Sequence, residues 1–150
     1  MIVMAPIRPI QQPALTRNHH ATLPAGPYAA AEARTQVRTA IRYWRIPVDI
    51  DVAALLTSEL VTNAITHDRA LRQGGAGGTV TLIVHSSEDQ LRVEVFDTSL
   101  ALPVPGGSVP ADAEHGRGLQ LVDSLSTTWG SYPTATGKAV YFTLGSGPTS

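Results

Sequence analysis

Residues 55–68 read Leu55-Leu56-Thr57-Ser58-Glu59-Leu60-Val61-Thr62-Asn63-Ala64-Ile65-Thr66-His67-Asp68. A carboxylate, a carboxamide and an imidazole recur there at steps of four, as Glu59, Asn63 and His67. Four residues advance an α-helix by about 400°, or about 40° of net rotation, so the three share one face. Ala53, Leu56, Leu60 and Ala64 fall at the three- and four-residue steps of an amphipathic helix, beside that face. Such a helix docks on a core with one stripe and presents chemistry with the next. Taken alone, the polar stripe also fits the solvated side of a surface helix. Asn63 asks for more, because an asparagine in mid-helix competes for backbone hydrogen bonds. An amide oxygen one turn from a carboxylate suits magnesium, which takes hard oxygen ligands and keeps several waters. That chemistry points toward a nucleotide.

Upstream, Met1 to about His20 carries several prolines and little periodicity, and reads as a flexible arm. Ala21 to Leu23 suits a short edge strand, closed by the turn Pro24-Ala25-Gly26-Pro27. From Tyr28 to Trp44, residues Ala30, Ala33, Val37, Ala40, Ile41 and Trp44 repeat at helical spacing. Arg34, Arg38, Arg42 and Arg45 lie outside that stripe, as a solvated face or a surface for an acidic partner. Pro47 ends this helix, and Asp49 or Asp51 can cap the next, which holds the central stretch.

Downstream, Gly74-Gly75-Ala76-Gly77-Gly78 leads from a helix into a strand, the reverse of a phosphate loop, and reads as a connection. Thr79 to His85 and Leu91 to Phe96 are rich in β-branched residues, with Ser86-Ser87-Glu88-Asp89 as the hairpin turn between them. Asp97 follows the second strand at the rim of the core, where a buried acid needs donors, and an adenine amino group is one candidate. Thr98 to His115 is long, rich in Pro and Gly and without regular pattern, as functional loops and lids are. Gly116-Arg117-Gly118-Leu119 then opens a short helix. Its glycines would let the backbone approach an anion at the helix N-terminus, and Arg117 can add a forked contact to phosphate. Strands near Thr127 to Tyr132 and Ala139 to Leu144 finish the sheet, and 145–150 reads as a disordered tail.

A chain of 150 residues fits one domain with a proper core, here expected over 21–144. A formal net charge of −1 and the lack of a Lys/Arg run argue against nucleic-acid binding. With no cysteine there is no disulfide, thiolate metal site or Cys nucleophile, which fits a reducing compartment. The opening Met1 to Ile10 is too short and too broken by proline for a signal segment or membrane span. A cytoplasmic protein with no membrane contact is expected. The histidines offer no helical His-x-x-x-His and no Gly-x-Ser-x-Gly occurs, so a metal hydrolase and a serine hydrolase are poorly supported.

In this order the features resemble the GHKL ATP-binding superfamily, and within it the anti-sigma factor serine/threonine kinases of actinobacterial regulators. Glu59 to His67 resembles the N box, Val93-Glu94-Val95-Phe96-Asp97 the approach to the first glycine box, and Gly116 to Val122 the second. Gly137-Lys138-Ala139-Val140-Tyr141-Phe142 resembles the closing strand. The resemblance implies a Bergerat fold: an α/β two-layer sandwich with a mixed, mostly antiparallel sheet and helices on one face. It implies ATP and magnesium as cofactors. Glu59 would be the general base, Asn63 would hold magnesium against the phosphates, and Asp97 would accept the adenine amino group. Gly116, Arg117, Gly118 and Leu119 would cover the phosphates, and His67 would end the polar stripe at the site. The implied partners are an anti-anti-sigma protein of STAS type and a sigma factor, with a homodimer as a further expectation.

Two departures bear on this. The superfamily's first glycine box reads Asp-x-Gly-x-Gly, and here Asp97-Thr98-Ser99-Leu100-Ala101 lacks both glycines, which narrows the backbone conformations beside the base. Lys138 stands where many relatives have threonine. The expected function is therefore an ATP-dependent protein serine/threonine kinase of the anti-sigma type, and the alternative is a catalytically weak or inactive nucleotide-gated binding module. A sensor histidine kinase would need a dimerisation helix with a phosphoacceptor His ahead of this domain, and a topoisomerase or chaperone ATPase would need further domains.

Overall fold

The computed structural model describes residues 16–67, 78–97 and 113–145, with the backbone alone at 67 and 113–118. In chain order the elements are β1 (Arg17–Pro24), α1 (Ala29–Trp44), α2 (Ile50–His67), β2 (Thr79–Ser87), β3 (Gln90–Asp97), α3 (Ala113–Leu125), β4 (Thr128–Pro133) and β5 (Lys138–Gly145). The strands form one sheet in the order β1-β2-β3-β5-β4. Helices cover one face, giving the two-layer α/β sandwich expected.

All four pairings are antiparallel, so the sheet is more uniform than the mixed one anticipated. The reason lies in the order. β3 and β4 run in the same direction, as a strand–helix–strand crossover through α3 requires, but β5 inserts between them and pairs antiparallel with both. No parallel ladder forms in the described sheet.

β1 starts at Arg17, ahead of the expected Ala21, and pairs with β2 from Arg17↔Ser86 to Pro24↔Thr79. Residues 17–20 thus belong to the sheet and not to the N-terminal arm; the rest of that arm, through 15, lies outside the described residues. This edge strand escapes a periodicity reading because Leu23 is its only buried side chain. β2 likewise runs on through Ser87, and the hairpin turn shrinks to Glu88-Asp89 between Ser87 and its partner Gln90. Glu88 has φ 54°, a conformation that costs a side chain free energy but closes a two-residue hairpin. Gly145, at φ 117°, lies against that turn: a Cβ there would come within 2.4 Å of the Asp89 carbonyl oxygen.

The core lies between sheet and helices. Ala33, Val37, Ala40 and Ile41 of α1 and Ala53, Leu56, Leu60, Val61 and Ala64 of α2 are buried. They meet Val80, Leu82 and Val84 of β2, Leu91, Val93 and Val95 of β3, and Val140, Phe142 and Leu144 of β5. The alternation of these strand residues turns one sheet face to the helices. Each such side chain contributes on the order of 1.5–3 kcal/mol when fully buried.

Local chemistry sets the helix ends. α1 stops at Arg45, whose backbone is left-handed, and the N–H groups of Arg45 and Ile46 both donate to the Ile41 carbonyl before Pro47. Of the two candidate caps for α2, Asp49 is the one used: its Oδ1 accepts from the Val52 N–H at 3.0 Å. Asp51 instead lies 3.5 Å from Arg38, in an exposed pair of little energetic weight. Arg34 donates to Ser58 Oγ at 2.9 Å, a part-buried hydrogen bond from α1 to α2.

Candidate functional site

α2 carries the site, and it packs against β3, β5 and α3. Its apolar stripe is buried in the core, and this fixes the rotation of the polar stripe beside it. Glu59 is half-buried. Asn63, one turn on, is 8% exposed. Its Oδ1 is fully buried and accepts no hydrogen bond among the described residues. An unsatisfied buried amide oxygen costs about 1–3 kcal/mol, which a ligand or cation would recover. The described residues contain no cluster of three His, Cys, Asp or Glu that could enclose a metal. A cation at Asn63 would take most of its ligands from water and phosphate, as magnesium does. The donor chemistry of Asn63 therefore fits magnesium brought with a nucleotide. His67 is the last residue of α2; its side chain lies outside what is described.

α3 starts at Ala113, so Gly116, Arg117 and Gly118 lie within its first turns and do not open it. Ala113, Glu114 and His115 were expected to end the preceding loop. Ala and Glu are good helix formers, and a glycine in a helix costs only about 1 kcal/mol, so the helix extends past the pattern break. Within the helix the N–H groups free of intrahelical partners are those of 113–115, so neither glycine supplies one. Further along, Val122 is buried, Leu119 is half-buried, and Trp129 Nε1–H donates to Asp123 Oδ1 at 2.8 Å, tying α3 to β4. The side chains of 116–118 are outside the described residues, as are 98–112 with the altered glycine box and most of the expected lid.

Asp97 ends β3 and is buried more fully than the half-buried place at the rim that the sequence suggests. Its surroundings differ as well. In the β3–β5 ladder it stands opposite Lys138, whose ammonium donates to Asp97 Oδ2 at 2.8 Å. The two side chains are 1% and 2% exposed, respectively. In the sequence Lys138 stands out as a replacement but its partner does not, because the register that joins them depends on β5 entering between β3 and β4.

The other sheet face holds a polar group that no motif marks. Arg92 Nε–H donates to Glu94 Oε2 at 2.5 Å and Tyr132 O–H to Oε1 at 2.9 Å. The Arg92 guanidinium also lies 3.9 Å over the Tyr141 ring. Burial, then the Glu94 carboxylate, raises the Tyr132 pKa above its usual 10.0. In His85, burial lowers the pKa below 6.5 despite Glu94, with Arg92 and His20 acting the same way as burial. His85 Nδ1 lies 2.5 Å from Asn18 Oδ1 across the β1–β2 ladder. A cleft of about 700 Å³ lies between β1 and the start of α1, lined by residues such as His19, Leu23, Tyr28 and Glu32. It includes none of the expected site residues.

Residues 23–144 match the family described as "Histidine kinase-like ATPase domain". The chain belongs to this family. A similar solved structure is that of the RsbU and RsbW domains of Rv1364c from Mycobacterium tuberculosis, at TM-score 0.57 and 22% identity. The match covers 85% of this chain and 31% of that one, so this chain spans about a third of that protein's chain. No curated protein matches the sequence. Membership in the histidine kinase-like ATPase family accords with the GHKL resemblance and with a two-layer sandwich. None of the described helices is long and apolar enough to cross a membrane.

Proposed function

We propose that this ATPase domain is a magnesium- and ATP-dependent protein serine/threonine kinase of the anti-sigma factor type. It phosphorylates an anti-anti-sigma partner of STAS type and, when free of that partner, sequesters a sigma factor in the cytoplasm. The observation that carries the reading is Asn63: a buried amide oxygen with no described partner, one turn from a half-buried Glu59. The RsbW domain named in the similar structure supports the choice of branch.

Asn63 would hold magnesium, which when bound neutralises charge on the phosphates. Glu59 takes the proton of the partner's attacking hydroxyl as the γ-phosphoryl passes to that oxygen and ADP departs. Its half-buried position leaves the carboxylate reachable by a docked side chain. Gly116 and Arg117 lie just past the first turn of α3, whose backbone N–H groups suit phosphate, and Arg117 would add a guanidinium there. Gly118 and Leu119, next along α3, and His67, at the end of α2, would complete the phosphate side of the site.

A specific observation favours a second reading. Asp97, assigned to the base, is already bonded to Lys138. A domain with that carboxylate engaged could serve as a nucleotide-gated binding module without phosphoryl transfer. Radiolabelled ATP, magnesium and a panel of STAS-type proteins from the source organism separate the two. Kinase action predicts a labelled partner, and a loss of label of about 100-fold or more in Glu59→Gln with nucleotide binding retained. Unlabelled partners throughout, from protein that binds ATP, would favour the module.

A further inference from the structure

Lys138 is an unusual residue to find where it is. It lies in β5, an interior strand of the sheet, at a position in step with Val140 and Phe142 on the helix-covered face. Lysine is almost never fully buried unless paired. Here it is 1% exposed and paired with Asp97, itself 3% exposed. Removing two charges from water costs several kcal/mol per ion, and their attraction with good hydrogen-bond geometry offsets that cost. The pair is therefore self-sufficient: Asp97 needs no donor from a ligand to remain charged in the interior.

We infer that Lys138 occupies at Asp97 the place a base amino group would need, so that the nucleotide site does not select a 6-amino purine. This rests on the nucleotide reading of Asn63 and Asp97 given above. A carboxylate whose lone pairs face the ligand reads adenine by accepting from its 6-amino group. An ammonium presents only donors. Against Lys138 the amino group of adenine finds another donor, whereas the 6-oxo group of hypoxanthine finds a partner. Adenine preference, where a site has one, comes largely from leaving the carboxylate unpaired when the amino group is missing. With Lys138 in place, no such penalty arises. The phosphate-side residues would then supply the binding, and the 6-position of the base would add no selectivity.

The test is calorimetric titration of the wild-type chain and of Lys138→Thr with ATP and with ITP, the 6-oxo analogue, each with magnesium. For the wild type, ATP and ITP should bind within roughly threefold of each other, since neither base leaves a buried group unpaired. In Lys138→Thr the ammonium no longer engages Asp97 Oδ2, and the preference for ATP should rise to about 10-fold or more. Binding of ATP gained only in the variant overturns the inference, because the wild-type site would then hold no nucleotide at all. A wild-type preference for ATP of 10-fold or more overturns it, even where Lys138→Thr does not fold. An unchanged ratio in a folded variant, or nucleotide binding lost on removing Lys138, overturns it as well. These outcomes leave the nucleotide site standing. Absence of binding to either nucleotide, by folded wild type and folded variant alike, removes the nucleotide reading itself and the inference with it.

Discussion

Replacing Lys138 with methionine keeps the length of the side chain and removes its charge, leaving Asp97 buried without its ammonium. At the observed 2.8 Å separation, two unit charges attract by about 6 kcal/mol at an effective dielectric of about 20. Part of that is spent on desolvating Lys138, a cost the variant avoids. Breaking a buried pair by removing one partner costs about 3–5 kcal/mol, because the other charge stays behind. Against a total stability of about 5–15 kcal/mol this is a large fraction. For a chain of this size about 4 kcal/mol corresponds to a fall in Tm of about 8–16 °C. Urea unfolding, followed by circular dichroism and the fluorescence of Trp44 and Trp129, measures the change. The double variant Asp97→Leu/Lys138→Met removes both charges and should return to within about 1–2 kcal/mol of the wild type. The cycle should then show a coupling of at least about 2 kcal/mol. Loss of less than about 1 kcal/mol in Lys138→Met, or single effects that add in the double variant, would refute the claim that the pair is closed to solvent.

Asp49→Ala removes the one side-chain cap of α2 and should cost about 1 kcal/mol in urea unfolding, with an unchanged m-value; no loss would mean that water serves the Val52 N–H equally well. Glu88→Gly relieves a side chain held at φ 54° and should leave stability unchanged or raise it by up to about 1 kcal/mol, whereas a clear loss would show that the Glu88 side chain contributes to the hairpin. The His85 pKa is lowered from 6.5, chiefly by burial, against the opposing Glu94 and with Arg92 and His20 nearby. Below pH 6.5 the unfolded chain binds this proton more readily than the folded one, so the His85 contribution is complete above 6.5 and is lost as pH falls through the lower folded value. Unfolding midpoints from pH 7.5 down to pH 5 should fall more steeply for the wild type than for His85→Gln, and equal slopes would contradict the assignment.

What was legible in the sequence was what local pattern encodes. The spacing of Ala53, Leu56, Leu60 and Ala64 places one face of α2 in the core, and that settles where Glu59 and Asn63 stand. The alternation in Leu91 to Phe96 likewise gives a strand with one buried face. What was missed depends on pairings between distant segments or on weak local preferences. The residues Arg17 to His20 are polar and mostly exposed, so nothing but their ladder with β2 makes them a strand. The start of α3 at Ala113 is a tertiary outcome, since α3 packs on α2 and β4 and tolerates the glycines within it. The Asp97–Lys138 pair and the Glu94 cluster each join residues about 40 positions apart, and neither can be read before the strand order is known.

The central claim is that Asn63 and its helix form a magnesium-dependent nucleotide site. Titration calorimetry of the wild type and of Asn63→Ala with ATP, each with magnesium and with a chelator, tests it most directly. The account predicts wild-type binding that weakens by about 10-fold or more when magnesium is removed, and an Asn63→Ala variant that stays folded but has lost the magnesium dependence. Binding that is equally tight in both proteins and indifferent to magnesium, or no binding at all by the folded wild type, would contradict it.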